Sequence, residues 1–199
     1  MQNSTLFKKI MKNIAIFASG SGTNAENMIR FFRTNQYGRV SLVLTNRADA
    51  QVIHRAKSNN VEAIAFNREQ FYETGEVLSI LKNKGIDFIV LAGFLWLVPA
   101  PLLQAFDGKV VNIHPALLPG YGGKGMYGAR VHEAVIASGD QESGITIHHV
   151  NQQYDDGGTI FQAKCTVEQG DTADSLAAKI HALEYEHFPQ VVENLLVKL

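Results

Sequence analysis

Short apolar and β-branched runs alternate with longer amphipathic stretches along the first two thirds of the chain. The runs at 13–18 (NIAIFA), 40–45 (VSLVLT), 61–66 (VEAIAF), 87–92 (DFIVLA) and 109–113 (KVVNI) read as strands. Between them, 24–34 and 49–59 have helical spacing, and 68–85 sets Phe71, Val77, Leu78 and Leu81 on one apolar face before Gly85 ends it. Strands that are apolar on both faces and separated by helices predict an α/β protein with an open, mostly parallel twisted sheet, helices on both faces and right-handed crossovers. After residue 140 the texture changes. GITIHHV and TIFQAKCTV pattern as two strands of an antiparallel hairpin around NQQYDDGG, and a long helix starts near Thr172. Residues 13–199 are expected to form a single domain, with 1–12 (MQNSTLFKKIMK) a loose extension that matches no element.

Composition narrows the setting. Apolar residues make up 46% of the 199, charged residues 19%, and the formal net charge is -1. No charge excess points to a nucleic acid or a membrane surface, and no run approaches the roughly 18 apolar residues of a membrane span. Cys165 is the single cysteine, so an internal disulfide and a cysteine-cage metal site are both excluded, and a reducing, cytoplasmic setting is expected. A single sequence assigns no oligomeric state.

Three places can carry chemistry. FASGSGTN closes the first strand, and Gly20, Gly22 and Ala25 satisfy G-x-G-x-x-G/A between a strand and a helix, so free backbone amides can be aimed at an anion. A dinucleotide site would also need an acidic residue after the second strand, where Asn46 stands; a monophosphate therefore fits better. The second place is NIHPALLP. Pro115 holds His114 extended as the fifth strand leaves the sheet, and Asn112, two residues earlier, shares its face, so a carboxamide and an imidazole project toward one spot and can stabilise an oxyanion. The third is YDDGG, where Asp156 before two glycines is ordinary turn chemistry but can also reach His114 and raise its pKa. His148 and His149 are adjacent on a strand and face opposite ways, while HALEYEH lacks the zinc-protease spacing, so no metal is expected. Trp96, in GFLWLVP, reads as a pocket wall.

The Asn-x-His-Pro and Asp-Gly-Gly pair, preceded by SGSGTN, resembles the formyltetrahydrofolate-dependent formyltransferases from about Asn13 to Val197. The glycine loop narrows the likeness to members that act on a phosphoribosylated glycinamide. The resemblance implies a Rossmann-like fold and transfer of the formyl group of 10-formyltetrahydrofolate, as co-substrate, to the amine of 5'-phosphoribosylglycinamide in purine biosynthesis. It implies Asn112, His114 and Asp156 as the catalytic set, with Gly22, Thr23, Asn24 and Glu184 holding the ribotide. Arg68, Leu95, Trp96, Leu97, Val98 and Asn112 would hold the folate. Trp96 departs from the family, which commonly has a basic residue there. The glycine-rich GYGGKGMYGARVHEA, carrying Lys124 and His132, is longer than the usual loop. The expected mechanism is direct attack, with charge on the formyl oxygen met by Asn112 and a protonated His114. The alternatives are a formyltetrahydrofolate hydrolase, a nicotinamide-dependent dehydrogenase using the first loop, and a non-catalytic nucleotide sensor.

Overall fold

A computed structural model describes residues 11–199. The expected extension therefore lies outside the described residues up to position 10, while Lys12 already belongs to the sheet. Strands β1 (Lys12–Phe17), β2 (Gly38–Thr45), β3 (Glu62–Ala65), β4 (Phe88–Leu91) and β5 (Val110–His114) pair in parallel. β6 (Glu142–His149) and β7 (Thr159–Thr166) continue the same sheet antiparallel, giving the order β3-β2-β1-β4-β5-β6-β7. The α/β expectation and the C-terminal hairpin both hold.

Helices cover both faces of the sheet. Met28 and Phe32 of α1 (Thr23–Phe32), Val52 of α2 (Gln51–Ser58), Val135 of α6 (Ala129–Ser138) and Phe188 of α7 (Ala173–Leu196) share one core layer. Phe71 of α3 (Arg68–Tyr72), Leu81 of α4 (Glu76–Asn83) and Leu102 of α5 (Ala100–Ala105) share the other. The single helix expected over 68–85 is two, because Gly75 takes a left-handed φ of 69° as the N-cap of α4 and turns the chain between them. Leu78, placed on the apolar face with Phe71, is only partly buried against that layer. Thr172 caps α7 as the pattern predicts, accepting from the Ser175 amide in a reciprocal capping box.

Strand alternation sorts β5. Val111 and Ile113 enter the first layer and Val110 the second, so Asn112 and His114 leave the sheet together on the Val110 side. The sheet changes from parallel to antiparallel just beyond them, between β5 and β6.

Candidate active site

The glycine loop builds an anion cradle. Gly22 caps α1 with φ 74°, and a Cβ there would lie 2.4 Å from Val52 Cγ2, so only glycine allows both the turn and the helix approach. The first intrahelical bond runs from the Glu26 amide to the Gly22 carbonyl at 2.9 Å, which leaves the amides of Thr23, Asn24 and Ala25 outside the helix ladder, at its positive end. Side chains clamp the loop from behind. Ser19 Oγ donates to Asn46 Oδ1 at 2.6 Å and accepts from the Leu95 amide at 3.0 Å. Arg55 donates to the Ser21 carbonyl at 2.9 Å and pairs with Glu26.

Facing this cradle is α7. Glu184 is 4% exposed, and its Oε2 accepts from Asn24 Nδ2 and from His181 Nδ1, each at 2.8 Å. The hydrogen bond that His181 donates to Glu184 pushes the His181 pKa up. Asn24 Oδ1 and His132 Nδ1 are buried without partners, so polar capacity remains for a ligand. These residues line a cavity of about 610 Å³ that also reaches Asn112, His114 and the glycine-rich loop at 120–128.

A smaller cavity of about 50 Å³ adjoins it, lined by Trp96, Leu97, Val98, Asn112 and Asp155 among others. Leu95 lines the larger one. Trp96 is a wall, as expected, and belongs to an aromatic group with Phe66, Phe71, Tyr72 and Phe94. Arg68 lies over the rings of Tyr72 and Trp96, at 4.8 and 5.7 Å from their centroids. It lines neither cavity.

Asn112 and Asp155 belong to both cavities, and His114 stands beside them. His114 Nδ1 is 3.5 Å from Asp155 Oδ2, and Asn112 Nδ2 is 3.5 Å from Asp155 Oδ1. Asn112 Nδ2 also meets His148 Nε2 at 3.0 Å. The other His148 nitrogen donates to the His149 carbonyl at 2.8 Å, and Nε2 also lies 3.6 Å from Asp155 Oδ1. The contact with Asn112 follows from the register, which sets Asn112 directly opposite His148 across the antiparallel pair.

Two expectations need correction. The carboxylate brought to His114 is that of Asp155. Asp156 is exposed, and its Oδ2 accepts instead from Asn151 Nδ2 at 3.0 Å. The reason is local. Asp155 takes a left-handed φ of 54°, which turns its side chain into the site, and Gly157 then passes so close to the His149 carbonyl that a Cβ would lie 1.7 Å from it. The glycine that the turn requires is therefore the second residue after the inward acid. The other correction concerns charge. Burial lowers the His114 pKa below its ordinary value, more than the Asp155 charge and the Tyr121 carbonyl raise it. Burial alone would raise the Asp155 carboxyl, but His148, His114 and the Gly123 amide together hold it below the usual range. At neutral pH the free site pairs a neutral imidazole with a carboxylate.

Two further residues are not visible in the sequence as site residues. His148 is one of two adjacent histidines there, and only the β5–β6 register reveals that it backs Asn112. Tyr121 enters through its backbone, whose carbonyl accepts from His114 Nε2 at 2.8 Å. His132, named with the long glycine-rich stretch, lies on the buried face of α6 and not in the loop.

This geometry, an amide, an imidazole and a carboxylate at the carboxyl edge of an α/β sheet between a polar and an aromatic cavity, suits acyl transfer between two bound molecules. Residues 12–192 match the formyl transferase family, and the chain belongs to it. It is 38% identical over 187 residues to the chloroplastic phosphoribosylglycinamide formyltransferase of Arabidopsis thaliana, covering 91% of this chain and 64% of that protein. It thus spans a little under two thirds of that plant relative. The phosphoribosylglycinamide formyltransferase of Bacillus subtilis (strain 168) is 32% identical, with 94% of this chain and 95% of that one covered. The crystal structure of phosphoribosylglycinamide formyltransferase from Bacillus halodurans superposes with a TM-score of 0.83 at 38% identity, over 93% of this chain and 95% of that one.

Proposed function

We propose that this protein transfers the formyl group of 10-formyltetrahydrofolate to the amine of 5'-phosphoribosylglycinamide, a step of purine biosynthesis, in the cytoplasm. One observation carries the reading: Asn112, His114 and Asp155 converge where a cavity with an anion cradle meets a cavity walled by aromatic rings. The ribotide phosphate sits on the amides after Gly22, and Thr23 and Asn24 belong to that cradle. Asn24 Oδ1, buried without a partner, and the carboxylate of Glu184 beside it take the ribose hydroxyls. The folate lies against Leu95, Trp96, Leu97 and Val98, with Arg68 turned toward its acidic tail.

Attack of the amine on the formyl carbon forms one C–N bond and places negative charge on the formyl oxygen. The amine then carries a surplus proton. Asn112 Nδ2 donates to the oxygen. The neutral imidazole of His114 accepts the amine's proton, helped by the adjacent Asp155 carboxylate, and the imidazolium so formed stabilises the oxyanion. Collapse breaks the bond to the folate N10 and returns that proton to it. His114 is thus charged during the reaction and neutral before it, a sequence consistent with its lowered pKa. A hydrolase would use the same three groups but has no use for the anion cradle. Absorbance that reports loss of formyl from the folate, recorded with and without the ribotide, tests this. Release that depends on the ribotide is expected, and release that ignores it would refute transfer.

A further inference from the structure

The loop after β5 does more than line the cavity. Tyr121 adopts a left-handed φ of 55°, which a non-glycine residue holds only when its surroundings impose it. Two sets of contacts do so here. Its phenol oxygen is 2.6 Å from Ser138 Oγ and 2.5 Å from Asp140 Oδ2, both at the C-terminal end of α6. Its main-chain carbonyl accepts from His114 Nε2 at 2.8 Å. Two residues on, the Gly123 amide donates to Asp155 Oδ2 at 2.9 Å. The loop backbone therefore grips the His114–Asp155 pair from both ends.

A carbonyl oxygen can only accept, so Nε2 must carry a proton whether the ring is neutral or charged. Nδ1 is then the nitrogen that gains and loses one. It faces Asp155 Oδ2 at 3.5 Å, with Asn112 Nδ2 on the other oxygen of the same carboxylate. From these contacts, and resting on the function proposed above, we infer that Tyr121 is a positioning residue whose carbonyl fixes the His114 tautomer and makes Nδ1 the proton-carrying atom of formyl transfer. Its phenol, latched to Asp140 and Ser138, keeps that carbonyl in place. Other titratable groups around His114 are His148 on β6, Glu184 on α7 and His132 on α6. The two ring nitrogens are met instead by the Tyr121 carbonyl and the Asp155 carboxylate.

Nitrogen-15 NMR of the full chain tests this without substrate, the His114 signals being assigned by their loss in His114→Gln. At a pH above the titration of the ring, the wild-type protein should show a protonated Nε2 and a bare Nδ1. Tyr121→Phe and Asp140→Ala, which cut the latch from opposite sides, should each give a mixture of tautomers. They should also lower kcat about tenfold while leaving the ribotide KM unchanged. Thermal melting confirms that both variants are folded, and one folded variant is enough to decide. A wild-type ring protonated at Nδ1 would overturn the inference, as would latch variants that keep both the wild-type tautomer and the wild-type kcat. Wild-type protein without ribotide-dependent formyl release would instead sink the proposed function and leave the tautomer result standing.

Discussion

The carboxylate of Asp155 faces the imidazole of His114 at 3.5 Å, while its neighbour Asp156 turns outward to Asn151. Two adjacent acids therefore have opposite prospects. Asp155→Asn should lower kcat on the order of 100-fold to 1000-fold, the usual cost of a lost electrostatic group at a reacting centre. Asp156→Asn should leave kcat near wild type. Steady-state rates with both substrates saturating decide between them.

His114→Ala should also cost on the order of 100-fold to 1000-fold in kcat, with little change in ribotide binding. The comparison of kcat with ribotide affinity by calorimetry is the measurement. Equal turnover would reject its role.

Glu184 holds Asn24 and His181 through a single oxygen. Glu184→Gln should raise the ribotide KM about tenfold or more, because a charged acceptor for hydroxyls is lost, and should change kcat much less. It should also let the His181 pKa fall toward its ordinary value, since Glu184 is what raises it. Ring proton shifts followed against pH report this directly.

Trp96 is the only tryptophan in the chain and walls the smaller cavity beside Arg68. A folate analogue should change its emission, whereas the ribotide alone should not. Trp96→Ala should weaken folate binding and spare the ribotide, which a fluorescence or calorimetric titration with each ligand separates.

Stability should follow pH in a defined sense. His114 and His132 both have pKa values lowered by burial, so below about pH 6.5 the unfolded chain binds more protons than the folded one. Their contribution is complete above that pH and is lost as pH falls through the lowered values. His181, raised by Glu184, acts oppositely: its contribution is present below about 6.5 and fades as pH rises through the raised value. Urea midpoints between pH 7.5 and 5 should therefore decline on the acid side, and His132→Gln should flatten that decline.

Much of this was legible because it is periodic. Alternation of short apolar runs with amphipathic ones marked the five parallel strands, the hairpin pattern after residue 140 marked β6 and β7, and Pro115 beside His114 marked the carboxyl end of β5. The glycine spacing after β1 marked the cradle, since a tight turn into a helix leaves few other choices. What stayed hidden depends on contacts distant in sequence or on a single backbone angle. Asp155 and Asp156 are the same residue type, and what separates them is that Asp155 itself takes the left-handed backbone angle. His148 becomes meaningful once β6 is set against β5 in register, and Tyr121 acts through a carbonyl that every residue type possesses.

The antiparallel ladder that sets Asn112 opposite His148 has a consequence for time as well as place. These two side chains ride on the interior of a seven-stranded sheet, whose amides exchange with solvent only when much of the protein opens. Tyr121 and Gly123 sit on a loop outside that ladder, held by the phenol latch and by the Gly123 amide's bond to Asp155. Deuterium uptake should therefore divide the centre into a slow half carried by the strands and a faster half carried by the loop.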